Sequence, residues 1–214
     1  MKLHTYFRSS AAYRVRIALH LKGLSFESIP VHLLRDGGEQ KQDAYKAINP
    51  LGLVPTLDTG SGFLTQSIAI LEWLDERYPE RPLLPRDADG RAQVRAIAQA
   101  IACDIHPLNN LRVLAYLTQV LGVSDEDKAR WYRHWVHEGL TAIEQILAHS
   151  AAPGRFCFGD TPTMADCCLV PQVFNARRFN CPLDAMPHIQ RIVSACEELD
   201  AFQRASPAQQ PDAE

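Results

Sequence analysis

Residues 53–78 read LVPTLDTGSGFLTQSIAILEWLDERY, and the pattern of this stretch decides the fold. Leu53–Leu57 and Phe63–Thr65 are two short apolar runs. The five residues between them, Asp58-Thr59-Gly60-Ser61-Gly62, carry the small and glycine residues of a hairpin turn. From Ser67 to Tyr78 the apolar residues recur at helical spacing, and Pro79 stops the run. The stretch is therefore strand, strand, helix.

Upstream, Lys2–Phe7 (KLHTYF) alternates apolar and polar residues as a strand does. Ala12, Val15, Ala18, Leu19 and Leu21 then fall at helical spacing, closed by Gly23. Phe26–Leu33 (FESIPVHL) reads as a second strand, and Pro30 puts it at a sheet edge, because proline has no ladder donor. A polar, glycine-containing loop follows over Arg35–Asp43. The first third of the chain is thus βαβ followed by ββα. Three prolines in PERPLLPRD, residues 79–87, mark a linker over 81–87 between a domain at 1–80 and a second at 88–214. The second carries no strand signal. Helical patterns run over Gly90–Leu121, where Pro107 predicts a kink or break, over Asp125–His149 with Trp131, Trp135 and Leu140 as core anchors, over Thr163–Arg178, and within Asp184–Phe202. Residues 205–214 (ASPAQQPDAE) read as a loosely held tail.

Composition narrows the function classes. At 46% hydrophobic residues and a net charge of −3, the chain is ordinary globular material with no electrostatic footprint for nucleic acid or an anionic membrane. No apolar run approaches the roughly 18 residues of a membrane span. Arg8, Arg14 and Arg16 interrupt what a secretory leader would need to be apolar. Six cysteines without a C-x-x-C pair read as packing residues in a reducing, cytoplasmic setting. His134 and His137 have no third ligand in sequence, so no metal site is expected.

Several motifs bear on chemistry. Ser9 and Ser10 stand between the first strand and the first helix (RSSAAYRVR, residues 8–16): either a plain N-cap or a hydroxyl holding an anion at a helix N-terminus. Gln66-Ser67 opens the helix after the hairpin and has the same two readings. In NPLGLVPTL (49–57), a cis Val54-Pro55 bond would free the N–H and C=O of Val54 to pair with an extended peptide. Thr163 and Asp166 have the spacing of a capping box, a folding signal. Arg8, Arg112 (near His106 and Asn110), Arg177 and Arg178 are cations that, if convergent, would grip a dicarboxylate.

The order βαβ–ββα with Val-Pro before the third strand and Gln-Ser before the last helix, followed by an all-helical domain with a Thr-x-x-Asp box, resembles the glutathione transferase family over essentially the whole chain. RSSAAYRVRIAL is similar to the signature of the zeta class, as are NPLGLVPTL, QSIAILEWL, LVPQV and the QPD near the end. The resemblance implies a thioredoxin-like N-terminal domain, an all-α C-terminal domain, a homodimer, a cis Val54-Pro55 bond and glutathione as cofactor. It implies the γ-glutamyl end at Gln66 and Ser67, the cysteinyl backbone at Val54 beside Pro55, and the sulfur beside Ser9 and Ser10. Ala11 stands where many zeta members have cysteine, so hydroxyl and backbone donors must hold the thiolate. The implied activity is glutathione-dependent cis–trans isomerisation of a small dicarboxylic keto acid, foremost maleylacetoacetate to fumarylacetoacetate, by reversible thiolate addition. Maleylpyruvate isomerisation and general conjugation of electrophiles are the other readings. Arg8, Arg112 and Arg178 would hold the substrate carboxylate and steady the enolate charge; His106 and Asn110 would reach glutathione or the enolate.

Overall fold

Four short strands make one mixed sheet in the computed structural model, which describes residues 1–150 and 152–214. β1 (Lys2–Thr5) is followed by α1 (Ser10–Lys22) and β2 (Glu27–Pro30), then by a short helix α2 (Asp43–Lys46), the hairpin β3 (Thr56–Asp58) and β4 (Phe63–Thr65), and α3 (Ser67–Arg77). The order is β2-β1-β3-β4. β1 runs parallel to β2, with Leu3 opposite Ser28, and antiparallel to β3, with Leu3 opposite Leu57. β2 is an edge strand, consistent with Pro30. It is shorter than the sequence pattern suggests, because only the stretch alongside β1 finds ladder partners.

The chain divides into two compact units, Met1–Leu83 with Glu197–Glu214, and Leu84–Cys196. The second stretch of the first unit differs from the sequence reading, which assigned 88–214 to a single helical domain. In the first unit, α1 is buried almost all round, with Ala12, Val15, Ile17, Ala18 and Leu19 in the core. Arg14 and Arg16 are buried there too. Arg16 is satisfied by four acceptors: Thr5 Oγ1 at 3.0 Å and the carbonyls of Tyr6 (3.4 Å), Phe7 (2.9 Å) and Ala205 (3.0 Å). Burial lowers its guanidinium pKa to about 10. A second buried cation, Lys22, lies 3.4 Å from Asp75 and donates to the carbonyls of Tyr78 and Arg81, while Asp75 accepts from the Leu83 amide at 2.5 Å. These bonds fasten the end of α1 to the end of α3 and to the chain that leads out of it. The C-terminal residues are pinned rather than loose. Gln210 donates to the carbonyls of Arg204 and Ser206, and Asp212 accepts the Phe7 amide at 3.0 Å.

The second unit is helical. α4 (Ala88–Gln99) passes into a π-helical segment, Ala100–Ile105, then α5 (His106–Leu108) and α6 (Leu111–Gln119). The chain continues helically through Pro107 and breaks at Asn109–Asn110 instead. A π turn loosens the bonding pattern just where the proline N–H is missing, so the ring is absorbed without a break. α7 (Asp125–Ala148) closes on this segment at Gly139, where a Cβ would overlap Cγ1 of Ile105. Tyr132, Val136 and Leu140 are its core residues; Trp131 and Trp135 are only half-buried. α8 (Met164–Arg178) begins with the expected capping box and is buried along most of its length. The last helical pattern divides at Leu199 into α9 (Pro187–Glu197) and α10 (Asp200–Ala205). Five of the six cysteines are buried; Cys103 is exposed. Among the described residues no helix is long and apolar enough to cross a membrane.

Candidate active site

The Ser9-Ser10 question has a geometric answer. Ser9 is the N-cap of α1, with extended backbone (φ −70°, ψ 116°), and its Oγ accepts the Ala12 amide at 3.2 Å. A hydroxyl that accepts still has its own proton to donate. Ser9 is half-buried, whereas Ser10, the first helical residue, is buried; Ala11 beside them is half-buried. Of the pair, Ser9 is the one whose hydroxyl can be reached, and it stands at the positive end of a helix dipole.

α3 begins differently. Gln66 precedes it with φ 67°, a left-handed value costly for a residue with a Cβ, and no side chain caps the helix. Its first turn holds no acidic residue. Ser67 is buried and its Oγ accepts from Arg14 Nη1 at 3.1 Å. Arg14 is 1% exposed, so a guanidinium lies under the start of α3 and adds to the positive potential of the helix end. A helix end of this kind can hold an anion.

Val54 lies between them in sequence, in a segment held from below. The Val54-Pro55 peptide is cis. Tyr45 Oη donates to the Leu53 carbonyl at 2.8 Å and pairs with Thr56 Oγ1 at 2.9 Å. Asn49 Nδ2 donates to the same two acceptors at 2.7 and 3.2 Å. Leu53 and Thr56, which flank Val54 and Pro55, are thereby fixed. Burial raises the Tyr45 phenol above its usual range, so it remains a donor.

Arg8 is half-buried at the end of β1, its guanidinium over the Phe7 ring at 4.5 Å and 3.6 Å from Glu214. Ser9, Ser10, Ala11 and Arg8 thus belong to one turn of the first unit.

In the second unit, His106 opens α5, and Asn110 caps α6 by accepting the Arg112 amide at 3.1 Å. Arg112 is exposed in the first turn of α6, and Arg177 and Arg178 are both exposed in the last turn of α8. These two regions are joined through Tyr132. Phe179 stacks on its ring at 3.9 Å, Arg178 lies over Phe179 at 4.9 Å, and Asn109 Nδ2 donates to the Tyr132 carbonyl at 3.4 Å. Sequence reasoning missed Arg14, Tyr45 and Asn49. The available signals were a pair of arginines spaced two apart in an otherwise apolar helix and the place of Asn49 at the head of NPLGLVPTL; for Tyr45 there was none.

Two family models match the chain: the glutathione S-transferase N-terminal domain over residues 8–77 and the C-terminal domain over 128–204. A maleylpyruvate isomerase from a Ralstonia species is 52% identical over 212 residues, 99% of each chain. The solved holo structure of a maleylpyruvate isomerase, described as a bacterial zeta-class glutathione transferase, superposes with TM-score 0.97 at 51% identity, over the whole of both chains. A maleylacetoacetate isomerase from Methylobacterium extorquens AM1, solved with malonate and glutathione bound, gives 0.96 at 41% identity, again over all of both. An N-terminal sheet unit that starts two helices on serines, a helical unit that starts one on Thr163 and Asp166, and full-length likeness at this level have one meaning: the chain belongs to the glutathione S-transferase family, in its zeta class.

Proposed function

We propose that this protein is a glutathione-dependent cis–trans isomerase of maleyl keto acids, with maleylacetoacetate as substrate and fumarylacetoacetate as product. The observation that carries the reading is the open, serine-lined start of α3 over buried Arg14, on the same unit as a Ser9 hydroxyl whose proton is uncommitted. The donor set fits glutathione: cationic and N–H donors for its γ-glutamyl carboxylate, and a hydroxyl donor at a helix end for its sulfur. When bound, glutathione supplies a thiolate that adds reversibly to the conjugated double bond and allows rotation about it.

The chain's own residues do the rest. Gln66 and Ser67 hold the γ-glutamyl end, and Val54 beside Pro55 pairs with the cysteinyl backbone. Ser9 donates to the sulfur, with Ser10 behind it. An ordinary thiol titrates near about 8.5, and lowering that by ~2 units requires roughly 2.7 kcal/mol of preference for the anion. A partly buried helix N-terminus contributes up to ~2 kcal/mol and a hydrogen bond to a charged group about 1.5–3. Together they suffice without a general base, and without the thiol that Ala11 replaces. Arg8, Arg112 and Arg178 bind the substrate carboxylate and the developing enolate charge, with His106 and Asn110 as further donors. Apart from Arg8, residues 1–80 serve glutathione, and the helical residues from 88 onward supply the other substrate contacts. Assembly as a cytoplasmic homodimer belongs to the same reading. The likeness to the Ralstonia enzyme supports maleylpyruvate as a second substrate.

The test is isomerisation of both acids with catalytic glutathione, by wild type and Ser9→Ala. Wild type should turn over at least one acid without consuming glutathione. Ser9→Ala should lower kcat/KM about 10- to 100-fold and raise the sulfur pKa seen by ultraviolet titration, with glutathione affinity nearly unchanged. Conjugation of aryl halides without isomerisation of either acid would replace this reading with a general transferase.

A further inference from the structure

At the end of β1, three donors surround one carboxylate of the chain itself. Glu214 lies 3.6 Å from Arg8 Nη2, 3.1 Å from His32 Nε2 and 3.5 Å from Arg35 Nη2. On the donor side, His32 and Arg8 are fixed by the fold. His32 Nδ1 accepts the amides of Leu34 and Arg35 at 3.2 and 2.7 Å, so its proton is on Nε2 and is donated to Glu214. The ring packs edge-on to Tyr6 at 5.1 Å, and the His32 amide donates to Glu39 Oε2. Arg8 is seated on Phe7, whose amide is bound by Asp212. Arg8 Nε and the Tyr6 hydroxyl are buried and have no hydrogen-bond partner among the described residues.

The acceptor side is the opposite. The Glu214 side chain is 51% exposed, against 14% for His32 and 32% for Arg8, while Arg35 at 60% is as open as the carboxylate it meets. A preformed pair of donors, His32 and Arg8, with the exposed Arg35 at its rim, thus holds an easily displaced carboxylate. We infer that Arg8, His32 and Arg35 form a carboxylate-binding cradle in which Glu214 is the resident and the carboxylate of an acidic ligand its competitor. The inference rests on the function proposed above only through Arg8; His32 and Arg35 have no role in that reading. The shared chemistry is a free carboxylate, and it has two possible sources: the dicarboxylic substrate or glutathione.

Glu214→Gln removes the resident charge at an exposed position, and binding of malonate and of glutathione is then measured separately by calorimetry. Losing an exposed ionic competitor should tighten one of them about threefold. Tighter malonate makes the substrate carboxylate the competitor; tighter glutathione makes it the tripeptide's. Adding Arg35→Gln to Glu214→Gln should cancel the gain. Unchanged affinities for both ligands in Glu214→Gln, or a gain that survives Arg35→Gln, would overturn the cradle. Because the readout is binding, a protein that behaves this way yet isomerises neither acid refutes the proposed function and leaves the cradle standing.

Discussion

Two helix starts in the helical unit, those of α8 and α9, are the opposite of one in the sheet unit, that of α3. In the helical unit, α8 starts on Asp166, which accepts the amides of Thr163 at 2.7 Å and Cys157 at 2.9 Å and the Thr163 hydroxyl at 3.0 Å. α9 starts on Glu144 of α7, which accepts the amides of His188 at 3.0 Å and Ile189 at 2.9 Å and pairs with the His188 ring at 2.6 Å. In the sheet unit, α3 starts on no carboxylate: Gln66 is strained, the cap is missing, and Arg14 lies beneath. A helix end closed by the chain's own acid is a folding device. An end left open over a buried cation suits an acid that arrives from outside.

This contrast can be broken from either side. The largest effect belongs to Asp166→Ala, which strips the start of α8 and leaves buried amides without partners. A loss of about 3–5 kcal/mol is expected, seen as a denaturation midpoint lowered by roughly 10 °C or more. Glutathione affinity of the molecules that fold should not change. Intact stability with lost glutathione binding would reverse the roles of the two ends.

Closing the open end is the complementary change. Ser67→Asp places a carboxylate at the start of α3 beside Arg14. The fold should gain about 0.3–1 kcal/mol from the helix dipole. The γ-glutamyl carboxylate then meets a like charge, and glutathione affinity should fall about 30-fold. Calorimetry checks the second statement and thermal unfolding the first. Undiminished binding would place the γ-glutamyl group elsewhere.

Glu144 gives a third, pH-dependent comparison. Burial pushes its carboxyl upward, but the Ile189 and His188 amides and the His188 ring more than reverse this, and the net position is below the usual range. A depressed pKa contributes stability above the ordinary value of about 4.3, lost as pH falls through the folded value. Asp166 has the opposite sign. Burial outweighs its donors and raises it, so the proton-linked part of its contribution persists in acid and is lost as pH rises through the folded value, while the amide bonds it accepts remain. Glu144→Gln should lower Tm by about 3–6 °C at neutral pH. It should also flatten the decline in Tm between about pH 5 and 3. An equally steep decline would remove Glu144 from the acid response.

The parts of the molecule that were legible in sequence are those decided within one turn of chain. The hairpin at 58–62, the Thr163–Asp166 box and the Ser9 cap of α1 all depend on neighbours three or four residues apart, whereas Ser67, which reads equally well as a cap, is held by Arg14 from 53 positions away and caps nothing. What was not legible depends on distant partners. Arg16 is buried because Thr5, Tyr6, Phe7 and Ala205 turn oxygens toward it, and Ala205 lies 189 positions away. The tail reads as loose by composition, yet the Phe7 amide and the Arg8–His32–Arg35 corner hold its acids. Trp131 reads as a core anchor by size, but its indole N–H donates to the Leu108 carbonyl at 2.9 Å, and the ring stays at the rim.

The smallest expected effect is the most discriminating. Gln66→Gly relieves a left-handed φ of 67°. Glycine bears a positive φ at less cost but adds about 0.5–1 kcal/mol of unfolded-state entropy, so the net gain in stability should be under about 1 kcal/mol. The same change deletes the amide that the γ-glutamyl group would meet, and glutathione affinity should drop about three- to tenfold. Stability and affinity therefore move in opposite directions, as they do when strain is kept for a ligand. If both rose together, the strained turn would serve neither fold nor ligand. If stability fell, Gln66 would be held by contacts whose loss outweighs the relieved strain, and the start of α3 would count as one more structural cap.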